Sequence, residues 1–142
     1  MKALETLIRL RRDALDRRRQ ALAALEQRRA DLSARQQALE QRIVDEQRVA
    51  ASDASLLFAY DSFARRSIED REALARAAAE LDDEIEAASE DLRRAFTELK
   101  KFEIARDQRD LRERVESERR EQRSDDEMAL SRFRHEQREK TS

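Results

Sequence analysis

A chain of 142 residues with no Gly, Pro or Cys lacks the ordinary turn formers, the thiol and the glycine loop that lets a backbone approach phosphate. Charged residues make up 45% and aromatic residues 4%, too little apolar material for a thick core, and the formal net charge is only −2. Abundant Ala, Leu, Glu, Arg and Gln with little net charge predict long helices rather than disorder, and a chain without catalytic residues, cofactor or metal site.

The opening, Met1 to Arg11, is broken by charge too early for a secretory signal, and no stretch is apolar enough to span a membrane. The chain therefore reads as cytoplasmic, with no direct membrane insertion. The first arm, residues 2–50, carries apolar residues at spacings of four and three: Leu4, Ile8, Leu15, Leu22, Leu25, Leu32, Leu39, Ile43 and Ala50. This is a heptad seam, interrupted by Arg11, Arg18, Arg29, Gln36 and Glu46. The seam arginines snorkel past small neighbours or leave a coil that can open. Arg9, Arg11, Arg12, Arg17, Arg18 and Arg19 make the N-terminal face basic. Asp13 and Asp16 interrupt that face and no aromatic interleaves, which argues against nucleic acid. It is a dock for an acidic partner or a solvated flank. Leu7 and Leu10 lie off the seam.

Residues 51–55, Ala-Ser-Asp-Ala-Ser, are the mid-chain cluster of small and capping residues, and Asp53 or Ser55 is placed to cap a second helix. The second arm, 56–138, has its own seam from Leu57 through Tyr60, Ala64, Leu74, Ala78, Leu81, Ile85, Ala88, Leu92, Ala95 and Leu99 to Phe102, polar at Ser67 and Arg71. Phe58 and Phe63 lie off it near the hinge, as docking anchors or as local packing. After Phe102 the apolar pattern drifts onto Ile104, Leu111 and Val115, and residues 116–127 hold no apolar side chain. Met128, Leu130 and Phe133 then form a small apolar spot. His135, the single histidine, sits in a run of charge that matches no metal motif.

The expected fold is all-α: one antiparallel two-helix coiled-coil hairpin spanning residues 1–142, with helix two overhanging at its C-terminal end. Charge favours folding back, because residues 1–50 carry net +4 and residues 51–105 net −6. An overhang from about residue 104 follows, about 35 residues and roughly 50 Å of helix. The rival is one unbroken helix of about 200 Å paired along its length as a homodimer, a generic scaffold.

Three segments resemble the FliJ family of the bacterial flagellar type III export apparatus. They are Leu4-Glu5-Thr6-Leu7-Ile8-Arg9-Leu10-Arg11, Phe96-Thr97-Glu98-Leu99-Lys100-Lys101-Phe102-Glu103, and the closing Glu121-Gln122-Arg123 to Asp126-Glu127-Met128-Ala129 to Arg132-Phe133. Length and two-arm plan agree with this. The resemblance implies a non-enzymatic stalk that promotes assembly and activity of the export ATPase hexamer. It also implies contact with the cytoplasmic part of the export gate membrane protein and escort of substrate-specific export chaperones, at the inner-membrane apparatus. On this reading Leu7, Arg9, Arg12, Gln122, Glu127, Arg132 and Phe133 meet the ATPase. Phe58, Tyr60 and Phe63, at the hinge, meet the gate or the chaperones. The injectisome counterpart of the same stalk stays open as an alternative.

Overall fold

The computed structural model describes residues 2–141. Helix α1 runs Lys2–Ser52, a short 3-10 turn covers Ala54–Leu56, and helix α2 runs Leu57–Thr141. The protein is an all-α helical hairpin, and a rod read straight through the middle would have no such break. Among the described residues no helix is long and apolar enough to cross a membrane.

The reversal needs no glycine because it needs no left-handed residue: none of the described residues has positive φ. One extended residue does the work, Asp53 at φ −148° and ψ 111°. Its carboxylate accepts the Ser55 backbone N–H at 3.0 Å and the Ser55 hydroxyl at 2.7 Å. The Leu56 N–H donates to the Asp53 carbonyl at 3.1 Å. Just before it, the Ser52 hydroxyl donates back to the Val49 carbonyl at 2.8 Å, satisfying one of the carbonyls that a helix end leaves open. Asp and Ser compete with the backbone for hydrogen bonds, which is why they end one helix and start the next.

The chain divides into two compact units. The hinge unit comprises residues 11–97. Its core is a single file of seam residues, with Leu15, Leu32, Leu39 and Ala50 buried on α1 and Ser67, Ala78 and Leu81 buried on α2. Leu32, Ala78 and Leu81 form a cluster, with Leu25, Leu74 and Ala77 packed against it. Ion pairs cross between the arms of this unit, among them Arg18 to Asp91 at 3.4 Å, Arg29 to Asp82 at 2.8 Å, and Arg71 to Glu40 at 2.7 Å. As the α1 partner advances along the chain, the α2 partner recedes, so the helices are antiparallel. The basic first arm lies against the acidic second arm. Each exposed pair contributes roughly 0–1 kcal/mol, so their main effect is on register.

The terminal unit comprises residues 2–10 of α1 with residues 98–141 of α2. Ile8 and Leu99 are buried, and Leu4, Leu7, Phe102, Glu103, Arg106 and Arg109 are half-buried. The seam of α2 thus keeps its phase beyond Phe102, but on two arginines. The Arg109 side chain is only 16% exposed and reaches Glu5 at 3.7 Å and Asp110 at 2.9 Å. The hydrogen bond it donates to Asp110 raises its already high pKa, helped by the negative charge of Asp110, Glu113 and Glu5, so it stays charged at any working pH. From Asp110 to Thr141 every residue is exposed.

Candidate partner-binding surfaces

The hinge unit separates the three aromatics that the sequence groups together. Phe58, in the first turn of α2, is 86% exposed, with Leu57, Leu56 and Val49 also exposed near the turn. Tyr60 and Phe63 instead pack locally and are half-buried. Their ring centroids lie 6.4 Å apart at a tilt of 38°. The Arg42 guanidinium sits 5.4 Å from the Phe63 ring centre, a cation over the negative face of the ring. Beside them a groove of about 190 Å³ is lined by Ile43, Gln47, Tyr60, Phe63, Ser67 and Ile68 among others. Apolar and polar side chains alternate along its lining, with the buried Ser67 beside the exposed Ile68, and its volume suits one bulky side chain. Arg12, at the start of this unit, is exposed.

In the terminal unit Leu7 is half-buried in the packing, while Arg9 is exposed. Gln122, Glu127, Arg132 and Phe133 are all exposed on α2. Gln122 donates to Asp126 at 3.3 Å, an ordinary pair one turn apart. These four do not form one face. Gln122 and Phe133, eleven residues and three turns apart, share a side of the helix; Glu127 and Arg132 point away from it. His135 Nε2 lies 3.1 Å from a carboxylate oxygen of Glu139, one turn on. Among the described residues, no three His, Asp or Glu side chains gather where they would hold a metal ion.

A surface that the seam pattern hides lies on this stretch. Ile104 is 55% exposed, Leu111 54% and Val115 37%, and they lie seven and four residues apart. That spacing places them on one side of α2, opposite the half-buried Phe102, Arg106 and Arg109. The signal was present as three apolar residues out of phase with the heptad. The sequence alone does not say which side of the helix the other arm occupies.

A family model described as the flagellar FliJ protein matches residues 1–138. The chain belongs to the FliJ family. No curated protein and no solved structure matches it. FliJ membership makes the chain a component of the flagellar protein-export apparatus and sets the coiled-coil hairpin in that setting. The two exposed regions above are surfaces of a FliJ-family protein, formed by helix faces and a turn.

Proposed function

We propose that the chain is the non-enzymatic stalk of the flagellar export apparatus. It seats in the export ATPase hexamer, promotes assembly and activity of that ring, couples it to the cytoplasmic part of the export gate and escorts substrate-specific chaperones. The work is contact and no bond is made or broken by its side chains. The observation that carries this reading is the pairing of a FliJ-family match over residues 1–138 with an α2 that is exposed on all sides from Asp110 onward. A helix without a covering partner of its own, rich in charge and held by pairs one turn apart, suits a shaft held by another protein.

The ATPase-facing residues in this reading are Leu7, Arg9, Arg12, Gln122, Glu127, Arg132 and Phe133. Phe58 is the leading anchor at the hinge for the gate or a chaperone, because it is the most exposed large apolar side chain. Tyr60 and Phe63 shape the groove beside it. The protein would work peripherally at the cytoplasmic face of the inner membrane.

The test mixes the purified chain with the export ATPase of the same genome and follows ATP hydrolysis and ring assembly. The wild type is compared with a truncation ending at Glu116. Stimulation lost on truncation supports the stalk reading with contact on the C-terminal stretch. Stimulation retained moves the contact to the N-terminal face. Absence of both binding and stimulation by the full chain overturns the reading.

A further inference from the structure

The heptad does not stop at the turn. Positions alternately four and three apart run Glu46, Ala50, Asp53, Leu57, Tyr60 and Ala64, so the seams of α1 and α2 share one phase and Asp53 stands on it. A hairpin does not require this, because the turn aims the second helix whatever the phase of its seam. A helix continuous through residues 51–56 does require it, for both seams to lie along one side. The turn is also close to that helix. Asp53 is the one described residue between Lys2 and Thr141 outside a helical element, no described residue has positive φ, and the segment holds no Gly or Pro to stop a helix. What marks it as a turn is the Asp53 carboxylate, which accepts both the Ser55 N–H and the Ser55 hydroxyl.

The cross-arm pairs Arg18–Asp91, Arg29–Asp82 and Glu40–Arg71 have residue numbers adding to 109, 111 and 111. With the hinge straightened, a second copy laid antiparallel makes the same pairs between chains in the same register. A parallel copy instead sets Arg18 against Arg18 and Arg29 against Arg29 on the seam. In the antiparallel arrangement Asp53 of each copy lies opposite Leu57 of the other. Leu57 is a seam residue that the turn leaves 56% exposed, so exchange covers it. The same arrangement carries the Asp53 carboxylate into the seam and away from Ser55, which opposes it.

We propose that the seam accepts a second occupant, another copy of this chain with its arms exchanged, and that Asp53 is the residue that keeps the chain folded back on itself. Exchange trades each contact between the arms for an identical one between chains, so the balance rests on the hinge. A short turn holds the two arms at an effective concentration in the millimolar range, and the hairpin prevails below it. Asp53→Leu removes the bonds to Ser55 and places a leucine opposite Leu57 of the other copy.

Wild type and Asp53→Leu are compared by light scattering and circular dichroism at about 50 µM, well under that effective concentration. The wild type is expected to have the mass of one chain. The variant is expected to have twice that mass, retained helix and a melting midpoint that rises with concentration. The pairing is read by cross-linking, since the chain has no cysteine of its own. Arg29→Cys and Asp82→Cys are placed in separate Asp53→Leu chains, which are refolded together and treated with a short bis-maleimide. Links between unlike chains are expected to exceed links between like chains several-fold. Dominant links of Arg29→Cys to itself show a parallel coil and overturn the exchange. A helical Asp53→Leu that stays at the mass of one chain overturns it as well. Should Asp53→Leu lose its helix, the same two cysteines in otherwise wild-type chains decide. Refolding them together at about 2 mM is expected to give links between unlike chains that are lost on refolding at about 20 µM, and no links at the higher concentration overturns the proposal.

Discussion

Arg29 occupies a seam position where a leucine is expected, yet its guanidinium ends on Asp82 at 2.8 Å and on the Ser33 hydroxyl at 3.1 Å. The stem covers the seam while the charge leaves it. A double-mutant cycle of Arg29→Ala with Asp82→Ala is expected to give only about 0.5 kcal/mol of interaction, because Asp82 is largely solvated. Leu32→Ala, one turn on and 6% exposed, is expected to cost about 3 kcal/mol by urea unfolding. A larger loss from the ion pair than from the leucine would reverse this ranking. Asp53 gives the pH test. The Ser55 hydroxyl, and then the Ser55 backbone N–H, hold its carboxyl below the ordinary value of 3.8. A depressed folded-state pKa means that the stabilisation is fully present above the unfolded value and is lost as pH falls through the folded one. The contribution of the ionised Asp53 carboxylate is therefore steady at neutral pH, begins to fall below about pH 3.8 and is gone once the pH has passed the lowered folded value. Comparison of thermal melts of wild type and Asp53→Asn down that range isolates it, since the amide still accepts hydrogen bonds but does not titrate.

At the scale of the element, the seam of α1 was legible almost residue by residue, because apolar periodicity is the strongest local signal a helix carries. Of the predicted α1 positions only Arg11 and Glu46 come out exposed. On α2, Leu57 is exposed as well, since it begins the helix and the packing starts one turn later at Tyr60. Arg71 swings out to Glu40 with two parallel hydrogen bonds. The extension of the seam through Arg106 and Arg109 was illegible, because a pattern of apolar residues cannot register a position filled by a charge. The stripe of Ile104, Leu111 and Val115 was visible as letters but not as a face, for which the location of the other helix is needed. The same contrast predicts dynamics. From Asp110 to Thr141 α2 has no tertiary cover, and a helix without packing relies on propensity and short-range charge pairs. Amide hydrogen exchange is expected to be fast from Asp110 to Thr141 and slow around Leu32, Ala78 and Leu81. Equal protection in both regions without any partner present would falsify the assignment of that stretch as uncovered.

For the molecule as a whole, the sequence carried the fold class through its charge asymmetry and its lack of glycine, but the decision between a folded-back hairpin and a paired rod turned on one residue. Asp53 leaves the helical region while Ser52 before it and Ala54 after it remain in helical elements, and that local event makes the pairing intramolecular. The consequence is thermodynamic. When a chain supplies both strands of its own coil, unfolding involves no change in the number of molecules and the midpoint does not depend on concentration; a coil built from two chains melts higher as concentration rises. Thermal unfolding followed at 222 nm by circular dichroism (a wavelength at which helix dominates) over an about 100-fold concentration range is expected to give one constant midpoint. Raised salt is expected to lower that midpoint only slightly, since Arg18–Asp91, Arg29–Asp82 and Arg71–Glu40 are exposed pairs that ions screen. A midpoint that climbs with concentration would transfer the seam from between two arms to between two chains. The ion pairs that cross it would then be intermolecular, and the antiparallel partner of each arm would belong to a second molecule.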